Sequence, residues 1–464
     1  MGLPAIVGDL WHFFVSSIEH RHSTRAFGHN SYACAHMDEL IEPWSQGTDK
    51  EAPEELETPD PVQFEFAHSF LGKPRVEAVR EYRDLWAEHV HPDFAKCTSV
   101  LELLEEKAMQ VFVPETWEGI KGLEPLKINF KDDLPDRIKP KTRYINPRLY
   151  EAAEKEFKRL RGYFYEESRS PWASCLVMAP KATYPFIRFC GDYVTINRYI
   201  ATGHFFIPNV RHELEKIINY PIYLDIDLTN AFHQIRLDPD TAEKLSVQTP
   251  WGQFQPRFMP EGIGPGSGVL QETVKKIYGD FGDWCILLFD NALILAEDYT
   301  DAYVKLEMFI DRSIQFNVKL KFSKTWLGFT EVKFFGYMCR HKSYGLTDDR
   351  KKAILDIPFP DSGNKIKKVR MMLGCGVFFS PFIKNYSDLV SHIPDMTKTT
   401  FNWDEAMWKY DYRALWESFK LGLQQSCELF YPDYSLEWIL RTDASDFGVG
   451  GMLIQLYVRE DGTV

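Results

Sequence analysis

The chain has 464 residues, 44% of them hydrophobic and 15% aromatic, enough for roughly two to four packed domains. Its formal net charge is −13 and its eight cysteines lie far apart without a CxxC pair, and no window approaches about eighteen uncharged apolar residues, which argues against a disulfide framework, a zinc ribbon and a membrane span and predicts reduced thiols. The opening MGLPAIVGDLWHFFVSS has no basic n-region and carries Asp9 inside its apolar part, so no signal peptide is expected and the predicted setting is intracellular, cytoplasmic or nuclear, not secreted.

Residues 1–120 carry the acidity, with 9 Lys/Arg against 22 Asp/Glu, while residues 121–464 have 45 of each. The stretch EHRHSTRAFGHNSYACAH gathers His20, His22, His29, Cys34 and His36, but no zinc spacing fits it. Residues 38–60, rich in Pro and Glu and poor in apolar residues, read as a disordered linker. Between 76 and 108, VEAVREYRDLWAEHV and SVLELLEEKAMQ predict two amphipathic helices. From about 121 the texture changes to short strands, helices and Pro/Gly punctuation. Residues 146–162 have an Asn cap, an early Pro, helical spacing and a terminal Gly, which predict a helix. SCLVMAP, FIRFC, PIYLDIDL and CILLFDNALIL read as strands, SGVLQETVKKIYGDF and TDAYVKLEMFIDRSIQF as helices. Residues 319–370 hold 13 basic residues against 5 acidic, a surplus that suits a phosphate backbone as well as it suits a solvated face.

Two of these strands hold acids where apolar alternation expects none. ILLFDNALIL sets Asp290 and Asn291 in an otherwise apolar run, which is either a tight turn or a metal site. YLDIDLTNAFHQIRL ends a second strand with Asp225 and Asp227. Two such strands side by side can hold one or two divalent cations, and phosphoryl transfer needs such cations to neutralise developing charge and align an attacking hydroxyl with a phosphate.

With their flanking motifs, these strands resemble the reverse transcriptases (RNA-directed DNA polymerases) of gypsy-type LTR retrotransposon Pol polyproteins, in order from about residue 125 to the C-terminus. RSPWASCLVMAPKA is similar to S-x-S-P-W-A-S-P, RFCGDYVTINRY to R-x-C-x-D-Y-R-x-L-N, DLTNAFHQI to D-L-x-S-A-Y-H-Q-I, and MPEGIGPGSGVLQ to P-F-G-L-x-N-A-P-x-x-F-Q. LFDN stands at the Y-x-D-D position, KFSKTWLGFTEVKFFGY resembles the segment ending in the primer-grip F-L-G, and LRTDASDFGVGGMLIQ resembles the opening strands of a tethered RNase H-like domain.

The resemblance implies an α+β polymerase right hand (fingers, palm, thumb) with a ferredoxin-like, four-stranded palm. The implied division is an acidic N-terminal region over 1–120, fingers and palm over 121–345, a thumb over 346–400 and the first strands of an RNase H-like fold over 401–464. It also implies nucleotidyl transfer from a dNTP to a primer 3′-hydroxyl on an RNA or DNA template, with Mg²⁺ (or Mn²⁺) held by Asp227 and Asp290, and no membrane partner. Lys181 and Arg188 would bind the triphosphate, Phe232 would stack beneath the deoxyribose, Gly262 would let backbone approach the nucleotide, Lys324 would protonate pyrophosphate, and Asp443 would be an RNase H remnant. With Asp443 the only carboxylate of that nuclease set in the chain, no hybrid cleavage is expected.

The departures carry their own expectations. Asn291 replaces the second Asp of Y-x-D-D, Leu288 its Tyr, and Val194 the Arg of D-Y-R. Glu261 places an acid near the incoming nucleotide, which is electrostatically wrong unless it is paired or turned away. The GIGPGSG run lacks the N-A-P packing residues, so a loose helix start is expected there. Loss of charge at Asn291 predicts slow polymerisation, raised by Asn291→Asp, or else a decayed or domesticated element that binds nucleic acid without polymerising.

Overall fold

A computed structural model describes residues 72–456, apart from 141–142, 144, 181–186, 202, 204, 206–208, 433–434 and 446–447. The His/Cys stretch and the linker expected over 38–60 lie outside the described residues.

The centre is a four-stranded antiparallel sheet in the order Cys285–Leu288, Asn291–Ala296, Ile222–Asp227, Trp326–Phe329. Its strands read as nearly continuous apolar runs because both faces are covered. On one face Leu224, Ile226, Ala292, Ile294 and Ala296 pack beneath the helices Gly266–Tyr278 and Tyr299–Gln315, through residues such as Leu270, Val274, Leu306 and Phe309. On the other, Tyr223, Ile286, Leu288, Leu293 and Leu295 join a second core. Side chains alternate along a strand, so Asp225 and Asp227 share the face of Tyr223, and Asn291 that of Leu293. The polar residues therefore lie at the end of the sheet, on the side where the second core stops.

Residues 75–113 belong to the first core: Tyr82, Val90, Phe94 and Phe112 pack with Phe322 and Leu327, and the His91 N–H donates to the Leu327 carbonyl at 2.9 Å. The two helices expected there are present: Arg75–Asp84 and Trp86–His89 are joined at Leu85, and Thr98–Leu103 runs on through a π-helical turn to Met109–Phe112, while Pro92 begins a short helix, Pro92–Ala95, between them.

A five-stranded mixed sheet runs Tyr165–Glu167, Gly252–Pro256, Val247–Thr249, Ser174–Pro180, Ile187–Asp192. The helix expected over 146–162 is a short 3₁₀ turn, Pro147–Leu149, followed by Tyr150–Arg161, whose Phe157 stacks on Trp251 at 4.9 Å. A third sheet, Glu331–Phe334, Tyr337–Arg340, Ser343–Leu346 and Leu429–Phe430, adjoins helices Asp348–Leu355 and Lys365–Phe379. Helix Tyr412–Gln424, grouped by the sequence with the final segment, buries Tyr412, Trp416, Phe419 and Leu423 in the same core as Val369, Met372 and Phe379. An apolar stripe of that spacing must be covered, and the residues before 400 cover it. Ile439–Ser445 and Gly448–Ile454 form a separate antiparallel hairpin.

No helix among the described residues is long and apolar enough to cross a membrane, and all seven described cysteines are free.

Candidate active site

ILLFDNALIL is both a tight turn and part of a polar site. Leu288 pairs with Asn291, leaving Phe289 and Asp290 as a two-residue hairpin turn, with Phe289 at φ +53°. An aromatic residue in the left-handed region is strained and persists only where its surroundings hold it. Gln271, buried on helix Gly266–Tyr278, supplies that hold: its Oε1 accepts from the Phe289 N–H at 2.8 Å and its Nε2 donates to the Leu287 carbonyl at 2.8 Å. The Leu228 N–H donates to the Asp290 carbonyl at 2.7 Å, which ties the turn to the end of the neighbouring strand.

Asp227 is 9% exposed, and Lys324 donates to its Oδ2 at 3.1 Å. Burial pushes the Asp227 carboxyl above its usual range, Lys324 opposes this, and the Asp290 charge pushes it further up. Asp290 is exposed at the turn. One strand position back, Asp225 accepts a 2.5 Å hydrogen bond from Asn291 Nδ2. Its carboxyl is pushed up to about 6 by burial, with the Asn291 hydrogen bond opposing and the Asp227 charge adding. Among the described residues no group of three or more His, Cys, Asp or Glu side chains forms a ready cation cage. The donor set that is present, two carboxylates on adjacent strand ends, suits an ion that takes one or two protein carboxylates and completes its shell with water and phosphate, as Mg²⁺ does.

The acid at 261 is paired. Glu261 Oε1 lies 3.2 Å from Arg188 Nη2, with the two side chains 37% and 58% exposed. Gly262 follows at φ +91°, a conformation that L side chains rarely adopt. The loop is braced where a loose helix start was expected: Asn197 donates through Nδ2 to the Gly262 carbonyl and accepts at Oδ1 from the Gly264 N–H, both at 2.9 Å. Half-buried Phe232 lies beside Gly266, where an added Cβ would come 3.4 Å from its ring. Leu288, at the tyrosine position of the resembled motif, is buried in the second core, and Val194 is exposed.

The structure thus gathers Asp227, Asp290, Asn291 and Lys324, and separately pairs Arg188 with Glu261 beside Gly262. Lys181 lies outside the described residues, and Asp443 sits on the terminal hairpin opposite Gly450. Sequence reasoning missed Gln271 and Asn197, although both stand inside quoted motifs, and gave Asp225 no partner.

A four-stranded sheet backed by two helices, a preceding mixed sheet and a following helical core define a polymerase right hand. The fold is similar to that of foamy viral protease-reverse transcriptase in complex with dsDNA, with a TM-score of 0.70 at 17% identity, covering 81% of this chain and 78% of that one. The same viral protein in complex with an RNA/DNA hybrid gives 0.63 at 17% identity, covering 88% and 52%. Residues 181–339 match the family model described as reverse transcriptase (RNA-dependent DNA polymerase). The chain is similar to the retrovirus-related Pol polyprotein from transposon 297 of Drosophila melanogaster, 26% identical over 294 residues, covering 62% of this chain and 27% of the relative. It is also similar to that from transposon opus, 22% identical over 379 residues, covering 79% and 37%. The Tf2-7 polyprotein of Schizosaccharomyces pombe is 26% identical over 341 residues, covering 72% and 25%. This chain carries a reverse transcriptase region of the retrotransposon Pol kind, and it spans about a quarter to somewhat over a third of the length of these relatives.

Proposed function

We propose that the chain is an RNA-directed DNA polymerase that transfers deoxynucleotides from dNTPs to a primer 3′-hydroxyl on an RNA or DNA template. The observation that carries this reading is the meeting of Asp227 and Asp290 at adjacent strand ends, with Lys324 on Asp227. Fingers and palm would span 121–345 and the thumb 346–400 together with helix Tyr412–Gln424. The RNase H-like segment, assigned from 401, would then reduce to the hairpin after it.

Asp227 and Asp290 would hold Mg²⁺ or Mn²⁺, which when bound neutralises charge on the phosphates and lowers the pKa of a coordinated hydroxyl. The protein's part is positioning. Gln271 locks the Phe289–Asp290 turn, so Asp290 is presented without a search through loop conformers. Lys324, whose Nζ stands at Asp227, would carry the proton to the pyrophosphate oxygen. Phe232, seated against Gly266, would provide the apolar floor for a deoxyribose, and Arg188 and Lys181 would meet the triphosphate. The foamy viral neighbours, solved with dsDNA and with an RNA/DNA hybrid, support a primer–template partner.

The test is extension of a DNA primer on an RNA template by the purified protein with Mg²⁺ or Mn²⁺. Extension should be abolished by Asp227→Ala and by Asp290→Ala while primer–template binding persists. Asn291 favours a second reading, a decayed or domesticated copy that binds without polymerising. Intact primer–template binding with no extension under either cation would establish that reading instead.

A further inference from the structure

Asn291 stands where the resembled motif has a carboxylate, and its carboxamide is engaged: Nδ2 donates to Asp225 Oδ1 at 2.5 Å. In the ladder Asp227 pairs with Asn291 and Asp225 with Leu293, so Asp225 and Asn291 are diagonal neighbours on one face. A carboxylate only accepts and an amide NH₂ only donates, so this bond fixes how the carboxamide points. Nδ2 is turned to Asp225, and the amide oxygen is the atom left for anything else. The site contains three acids, Asp225, Asp227 and Asp290, the same number as a motif with Asp at 227, 290 and 291. The number of acids is therefore the same although position 291 carries none. Carboxylates at both 225 and 291 would either repel each other or share one proton, so the second acid would not add a full charge for a metal.

We propose that Asp225 and Asn291 form one exchangeable unit that replaces the second carboxylate of the motif. Asp225 is its positioning residue, placing a negative charge beside Asp227 and leaving the Asn291 amide oxygen as the atom available to a divalent cation. The inference rests on the polymerase reading. It reverses the sequence-based expectation for Asn291→Asp, because the new carboxylate would meet Asp225 before it met a metal.

A cycle of wild type, Asn291→Asp, Asp225→Asn and the double variant, measured by calorimetric Mn²⁺ titration and by thermal midpoint, tests the proposal. Each single change should weaken Mn²⁺ binding by about fivefold or more, and the double variant should recover at least about fivefold of what Asn291→Asp loses. An Asp225 with a merely structural role would shift the midpoint but leave Mn²⁺ affinity within about twofold. That result, a gain in affinity for Asn291→Asp alone, a double variant equal to the product of the singles, or a wild type that binds no Mn²⁺ would each overturn the proposal. If Asn291→Asp does not fold, Asn291→Ala replaces it: its loss should not be rescued by Asp225→Asn, and rescue would overturn the pairing. Mn²⁺ coupling without any primer extension would uphold the unit while sinking the polymerase reading, so the two failures are distinct.

Discussion

Glu261→Gln should strengthen nucleotide binding. Arg188 is the cation expected to meet the triphosphate, and at 3.2 Å it is partly neutralised by Glu261. Both side chains are more than a third exposed, so the pair is worth only about 0.2 to 1 kcal/mol. Glu261 also repels the incoming polyanion: a unit charge about 6 Å away in a medium of dielectric near 80 contributes roughly 0.7 kcal/mol. Releasing Arg188 and removing the repulsion together give about 1 to 1.5 kcal/mol, a fall in KM for dNTP of roughly 5- to 12-fold with kcat little changed. The assay is steady-state primer extension over a dNTP titration at about 50 mM salt, repeated at about 300 mM, where screening should shrink the difference. Arg188→Gln should raise KM. A KM for Glu261→Gln that is unchanged within about twofold, or raised, would refute the argument that this ion pair competes with the triphosphate.

Lys324→Met removes the cation that sits on Asp227, so two readouts should move in opposite directions: Mn²⁺ affinity should rise about fivefold while extension falls at least about tenfold. Gln271→Leu leaves the Phe289 N–H and the Leu287 carbonyl without their partner and should cost about 2 to 4 kcal/mol in denaturant unfolding, against little change if the turn holds itself. His233 stacks on Phe164 at 3.9 Å, and burial holds its imidazole down at about 3, with Arg159 and Arg188 adding. Its folded pKa lies below the unfolded value, so the stability it contributes is present above about pH 6.5 and drains away as pH falls, by about 2 kcal/mol at pH 5. His233→Gln should flatten the stability profile between about pH 7 and 5, and an unaltered slope would assign the acid sensitivity to other groups.

The elements with a strong period were legible. Apolar strands with a misplaced Asp and the helices over Gly266–Tyr278 and Tyr299–Gln315 stand where spacing puts them, because each must bury an apolar stripe that its own sequence displays. The packing partners of residues 75–112 and of helix Tyr412–Gln424 were less so. Both depend on what covers a stripe, and the covering residues, Phe322 and Leu327 for one and Val369 and Met372 for the other, are far away along the chain.

The same distance explains what was unreadable in the site. Glu261 and Asn291 look like defects when each is compared with one motif position, since a motif lists residue types and not their spatial partners. In the fold each departure meets a group of opposite character from another motif: Arg188 of RFCGDYV for Glu261, and Asp225 of YLDIDL for Asn291. A carboxylate that gains a guanidinium and a carboxamide that gains a carboxylate are both satisfied, so neither substitution leaves an uncompensated polar group to destabilise the site. Both departures are therefore compatible with a folded, cation-binding palm, and the Asp225–Asn291 cycle measures whether the carboxylate end of the sheet still takes Mn²⁺.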